Sequence, residues 1–152
     1  MKIYDVIILG AGASGLMCAG NIGKKKSVLI IEANEKVAKK LKISGGGKCN
    51  ITNISVELNN FDGEEVLVKS VLQKFSKDNL LEFLDRNRVD LELRKNRYYF
   101  CQNSSDEIID VLKNISKNAI MGCHCTAHED SLNVFAKVSQ NVVLEKVLYL
   151  FF

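Results

Sequence analysis

Gly10, Gly12 and Gly15 follow an apolar, β-branched run over residues 3–9 without a break. A strand buried on both faces reads as such a continuous run. In the spacing G-x-G-x-x-G each glycine has its own task. The first permits a tight turn, the second lets a pyrophosphate come up to the backbone, and the third lets a helix pack on the strand. Residues 13–23 continue in a helical pattern, and a helix start offers unpaired N–H groups and a positive dipole end to phosphate. A second apolar strand over 27–31 ends in Glu32, near the spacing of about 20 residues expected of an acid that accepts hydrogen bonds from ribose hydroxyls. A tight β–α turn in some other doubly wound domain is the plainer alternative. The whole series of strand, glycines, helix, strand and acid favours a dinucleotide. A carboxylate at Glu32 suits a free 2′-hydroxyl and repels a 2′-phosphate, so NADP is disfavoured there and FAD or NAD remains.

A second motif, KISGGGKCNITN over residues 42–53, lies about a dozen residues further on. Three glycines together lose much conformational entropy on folding, which points to a backbone that must come close to something. Taken together, Gly10 to Gly15, Glu32 and this second stretch resemble the bacterial FAD-dependent oxidoreductase family that includes bile-acid dehydro-reductases and aminoacetone oxidases. The resemblance implies a Rossmann-like α/β FAD-binding fold of the glutathione-reductase type, here truncated, with an incomplete parallel sheet, a small β-hairpin and flanking helices. It implies FAD as cofactor and NAD(P)H as electron donor. By the same resemblance the cofactor contacts fall on Gly10, Gly12, Ala13, Ser14 and Gly15 at the pyrophosphate, and on Glu32 and Ala33 at the adenosine ribose. Ser44, Gly45, Gly46, Gly47, Lys48, Cys49 and Asn50 would run along the FAD toward the flavin ring. The family carries Arg where this chain has Lys48, which keeps the charge and loses the two-pronged guanidinium geometry. Lys39 and Lys40 either assist with phosphate charge or are exposed helix cations.

Further along, SKDNLLEFLDRN (76–87) reads as a helix and LELRKNRYYFCQ (91–102) as a hairpin with Lys95-Asn96 at its turn. Residues 104–117 read as a helix opened by a Ser104/Glu107 capping box, with Ile108, Val111, Leu112 and Ile115 along one face. The recognisable part is residues 1–118, the N-terminal part of an FAD-binding domain. Residues 119–152 form a divergent or out-of-frame tail without an assignable domain. Only two parallel strands are clearly written, so the edge beside the second is expected to lack a neighbour, and the ending VVLEKVLYLFF looks aggregation-prone. The expected full-length reaction is hydride transfer through FAD to a small organic substrate, with this chain too short to be active alone. Two rival readings are a truncated product that does not retain FAD, and a NAD-binding regulatory module.

Composition sets outer limits. The 152 residues suit one domain, the five cysteines are an odd number, and no leader precedes the first strand, which together point to the cytoplasm. A net charge of +3 is modest. Lys24 to Lys26 read as cations complementing a helix C-terminus, so no nucleic-acid partner is expected, and residues 147–152 are too few to span a bilayer. No protein partner is read. Cys123, His124, Cys125 and His128 are metal-ligand types, but their crowding argues against a common tetrahedral ion, and no metal is expected. Cys49 has no second cysteine at C-x-x-C spacing and reads as a small space-filler rather than a redox thiol. Tyr98, Tyr99 and Phe100 read as strand packing. No carboxylate pair or Ser/His/Asp set forms an acid–base device, which accords with a cofactor that carries the chemistry.

Overall fold

The computed structural model describes residues 2–22, 26–124, 142–144 and 147–148. Its elements are β1 (Lys2–Tyr4), β2 (Val6–Leu9), α1 (Ala13–Ile22), β3 (Val28–Glu32), α2 (Lys39–Ile43), β4 (Asn50–Asn53), α3 (Glu65–Lys74), α4 (Lys77–Arg86), β5 (Leu91–Arg94), β6 (Tyr98–Cys101), α5 (Asp106–Ile115), β7 (Ile120–His124), β8 (Val142–Leu144) and β9 (Val147–Leu148). They form two compact units, Met1–Leu41 with Ile109–Phe152, and Lys42–Ile108. Among the described residues no helix is long and apolar enough to cross a membrane.

The first unit is a parallel sheet in the order β7-β3-β2-β9, with β1 and β8 as a separate parallel pair. Apolar side chains alternate to both faces of β2 and β3. Tyr4, Ile7, Leu29 and Ile31 cluster together, while Ile8 and Ile30 are both fully buried. Each such isoleucine contributes about 1.5–3 kcal/mol by leaving water. Leu16 and Ala19 of α1 and Ile109 and Leu112 of α5 are buried as well.

The expected strand over 3–9 is interrupted at Asp5. There the Asp5 N–H donates to Ser27 O at 3.0 Å, and the Ser27 N–H and hydroxyl both donate to Asp5 Oδ2 at 2.7 Å. The Ser27 N–H, followed by its hydroxyl, holds this exposed carboxyl below its ordinary value.

The expectation of only two parallel strands is corrected. Residues 120–124 form β7, which pairs with β3 through Leu29↔Ile120, Ile30↔Met121 and Ile31↔Gly122. The edge beside β3 is therefore occupied. Of the tail's remaining features, Cys125, His128 and most of the apolar ending lie outside the described residues.

The second unit carries an antiparallel sheet, β4-β6-β5, with α3 and α4. The β5–β6 hairpin turns where the sequence predicts. Lys95 and Asn96 both adopt left-handed backbone, φ 51° and 47°, the pairing of a two-residue turn whose twist matches the strands. Helix α4 opens on a capping box: Ser76 Oγ accepts the Asn79 N–H at 3.2 Å, and Asn79 Oδ1 accepts the Ser76 N–H at 2.9 Å. At α5 the capping box is replaced by a shorter turn. Ser104 Oγ accepts the Asp106 N–H at 2.9 Å, while the Glu107 carboxylate takes the Asn103 side-chain amide at 2.7 Å instead of reaching back. Val89, Leu84, Cys49 and Cys101 are buried, and α3 has no buried residue.

Candidate functional site

Within the first unit, the turn between β2 and α1 is fastened at three points. The Gly10 N–H donates to Ile31 O at 2.7 Å, the Ala11 N–H to Glu32 Oε2 at 2.6 Å, and the Ala38 N–H to Ala11 O at 2.8 Å. Gly10 has φ 94°, a conformation that only glycine holds without strain. Gly15 lies under the same turn: a Cβ built there would stand 2.0 Å from Gly10 O. Gly12 is different, because a Cβ at Gly12 meets nothing within 4 Å. Gly12, Ala13 and Ser14 are all exposed at the start of α1. The space over this backbone fits the approach of a phosphate, and the first turn of a helix presents N–H groups without intrahelical partners.

Glu32 ends β3 beside this turn. Its Oε2 takes the Ala11 N–H, and its Oε1 takes the Asn34 N–H at 2.8 Å and the Asn34 side-chain amide at 2.6 Å. An ionised carboxylate has about four acceptor positions, and these three donors together with the nearby Ala33 N–H all act on Glu32 locally. Burial works to raise the Glu32 carboxyl; the N–H groups of Asn34 and Ala11 and the Asn34 amide outweigh it and hold it below 4.5. A carboxyl with a depressed folded value adds stability above its unfolded value and loses it as pH falls through the folded one. The wild type is therefore expected to lose more stability than Glu32→Gln between neutral pH and pH 3, read as urea midpoints. Parallel acid limbs would contradict the clamp.

Ala33 is exposed beside Glu32, and Lys39 and Lys40 are exposed on α2. Among the described residues Lys40 makes no ion pair.

Within the second unit, Gly45, Gly46 and Gly47 have φ 57°, 67° and 86°, a left-handed run followed by Cys49 at φ 51°. Cβ atoms at Gly46 and Gly47 would meet nothing within 4 Å, so two of the three glycines face open space. The loop is tied down from behind. The Ser105 N–H donates to Gly47 O at 2.8 Å, the Ser105 hydroxyl to Lys42 O at 3.2 Å, and the Cys49 N–H to Ser44 O at 3.0 Å. Lys48 does not extend freely: its Nζ donates to Gln102 O at 2.8 Å and lies 3.6 Å from Glu92. Asn50 is exposed and opposite Phe100 in the β4–β6 ladder. A cleft of about 560 Å³ elsewhere in this unit, beside Val56, Leu58, Lys69 and Leu72, contains none of the expected residues.

Cys49 does have a cysteine neighbour in space. The Cys101 N–H donates to Lys48 O at 2.9 Å, and the charge of a Cys49 thiolate acts on Cys101. The absence of a C-x-x-C partner is thus no argument, since β6 supplies one from far along the chain. Burial pushes up the Cys49 thiol, with Ser44 partly opposing it. Cys101 is pushed up to about 11, first by burial and then by Cys49 and Glu107. From an ordinary 9.0, that lowers the reactive thiolate of Cys101 roughly a hundredfold at neutral pH. Iodoacetamide is expected to label Cys49 and Cys101 slowly in the folded chain at pH 7.5 and readily in urea; rapid labelling of the folded chain at either position would overturn this.

Residues 4–146 match the HI0933-like protein Rossmann domain. The chain belongs to that family. Its domain is an FAD-binding Rossmann fold of the oxidoreductase type. Among curated relatives, the chain is 33% identical over 116 residues to the ribosomal RNA dihydrouridine synthase of Escherichia coli, covering 74% of this chain and 28% of that protein. It is 34% identical over 80 residues to the 3-dehydro-bile acid delta(4,6)-reductase of Clostridium scindens, covering 50% and 20%. The chain therefore spans less than a third of the length of these relatives. Among solved structures, Thermovibrio ammonificans THI4 matches with a TM-score of 0.51 at 18% identity, over 79% of this chain and 38% of that one, a likeness of fold.

The structure keeps Gly10 to Gly15 with Glu32 in one unit and Ser44 to Asn50 in the other. Sequence reasoning missed Asn34, Glu92, Arg94 and Ser105. Their partners are set by the fold, and only the proximity of Asn34 to Glu32 could have drawn attention to one of them.

Proposed function

We propose that this chain is the dinucleotide-holding part of an FAD-dependent reductase that adds hydride and a proton across a C=C bond conjugated to a carbonyl. The support for the substrate class is chemical. The two relatives named above make dihydrouridine and reduce a delta(4,6) 3-dehydro bile acid; a uracil ring and a dienone both carry a C=C bond activated by a carbonyl. The electron donor in this reading is a nicotinamide dinucleotide.

Bound FAD supplies the hydride chemistry. This chain's residues supply position. The opened backbone at Gly12 and the start of α1 receive the pyrophosphate, and the Glu32 carboxylate receives one ribose hydroxyl. The left-handed Gly45–Gly47 run lets a second stretch of cofactor lie against the backbone, without a side chain to hold it off. Cys49 forms a neutral, buried wall. Glu32→Ala removes both a ribose acceptor and the clamp on Ala11, and is expected to weaken FAD binding by about 1.5–3 kcal/mol, the scale of hydrogen bonds to a charged group. Fluorescence titration with FAD measures it, and an unchanged affinity would remove Glu32 from the site.

The reductase reading is tested by reducing the FAD-loaded protein anaerobically with NADH or NADPH and adding acceptors. The flavin is expected to reoxidise with an enone such as 2-cyclohexenone and not with cyclohexene. Reoxidation by dioxygen alone would refute it.

A further inference from the structure

One end of the Gly45–Gly47 loop is joined to the other through a closed circuit of side chains on the β5–β6 hairpin. Phe100 of β6 lies against Gly45, where a Cβ would come within 2.6 Å of the ring and 3.0 Å of Asn50 N. The Arg94 guanidinium stacks over that ring, 4.7 Å from its centroid. The same guanidinium donates from Nε and Nη2 to Glu92 Oε2 at 3.1 and 2.9 Å. That carboxylate oxygen is 3.6 Å from Lys48 Nζ, and the Lys48 N–H closes on Gly45 O at 3.4 Å. Lys48, Glu92 and Arg94 are all more than half shielded from water, so the charges act on one another with less screening than on an open surface.

We propose that Glu92 and Arg94 are positioning residues of the cofactor site, holding the Gly45–Gly47 backbone in its left-handed form through Phe100 on one side and Lys48 on the other. This rests on the reading of Ser44 to Asn50 as a cofactor contact. Consecutive glycines populate many conformations when free, and a loop held in its bound form loses less entropy when the ligand arrives. The circuit also gives Lys48 a role apart from phosphate. Its ammonium is engaged by Gln102 O and Glu92, so its charge acts on the hairpin. Arginine has the wrong shape to be exchanged for lysine in such a stack, and the circuit makes Arg94, rather than Lys48, the residue whose planar group matters.

Two measurements on the full chain separate the brace from the site. Amide hydrogen exchange of Gly45 to Lys48, without FAD, reads the brace. FAD titration reads its consequence. In Arg94→Met and Glu92→Gln the loop amides are expected to exchange faster, and FAD affinity to fall roughly tenfold, the scale of one lost charge-assisted hydrogen bond. Arg94→Lys, which keeps charge without the planar stack, should fall in between. Arg86→Gln removes an exposed pair with Glu82 on α4 and should change neither readout. Unchanged loop exchange in both Arg94→Met and Glu92→Gln would overturn the brace. Faster exchange with unchanged FAD affinity would instead overturn the loop's assignment to the cofactor, and the positioning role with it. Glu92→Gln preserves side-chain shape and carries the test should Arg94→Met fail to fold.

Discussion

Gly15→Ala is expected to unfold the first unit or leave it barely stable. The added Cβ would stand 2.0 Å from Gly10 O, 3.2 Å from Gly10 C and 3.3 Å from Ile8 Cγ2. The nearest two are backbone atoms and cannot swing away. Gly10 is held by its N–H bond to Ile31 O, and the next residue by Glu32 and Ala38, so the turn cannot yield without breaking its own fastening. Ile8 is fully buried in the middle of the sheet, so the third contact is closed as well. The remaining response is to lift α1 off β2, which uncovers Leu16 and Ala19. Overpacking of this kind costs about 1–3 kcal/mol when neighbours can adjust and more when they cannot. Against a whole-domain stability of about 5–15 kcal/mol, a loss of about 3–5 kcal/mol is expected here. Urea denaturation followed by circular dichroism measures it. A midpoint within experimental error of the wild type would show that helix and strand are not packed this closely.

The parts of the fold legible in the sequence are those written in local chemistry. The runs before Gly10 and before Glu32 are apolar on both faces, and only a buried parallel strand tolerates that. In Lys95-Asn96 the asparagine marks the turn, because it accepts left-handed backbone more readily than most residues. What was not legible depends on partners far along the chain. β7 has the unremarkable sequence IMGCH, and its strand character comes from the ladder offered by β3. α3 goes unread because none of its apolar residues is buried; Val66 is 74% and Leu67 62% exposed. At α5 the sequence offers Ser104 two nearby donors, and the shorter turn to Asp106 prevails once Asn103 engages Glu107. The candidate site divides in the same way. Its glycines and Glu32 stand out by spacing, whereas the Lys48–Glu92–Arg94–Phe100 circuit is assembled by the hairpin, and Cys101 reaches Cys49 from the far strand.

Gly12→Val is expected to behave in the opposite way to Gly15→Ala, with the fold kept and the cofactor lost. Gly12 is exposed, its backbone is not in the left-handed region, and a Cβ there meets nothing within 4 Å. A side chain is therefore accommodated by the protein itself. What it fills is the open space over the backbone at the start of α1, where the pyrophosphate of a dinucleotide must come within hydrogen-bond distance of N–H groups. A β-branched side chain is stiff at χ1 and so keeps that space filled. Loss of the phosphate contacts is expected to weaken FAD by at least about a hundredfold, or ~2.7 kcal/mol. FMN, which has one phosphate and no adenosine, draws little from this turn or from Glu32 and should be affected far less.

The most direct measurement is a paired titration of the wild type and Gly12→Val with FAD and with FMN, alongside thermal melts of both proteins. The expected result is that the wild type prefers FAD to FMN, that the variant loses this preference, and that the two melting midpoints agree. A folded Gly12→Val protein that binds FAD as tightly as the wild type would contradict the placement of the dinucleotide on this turn.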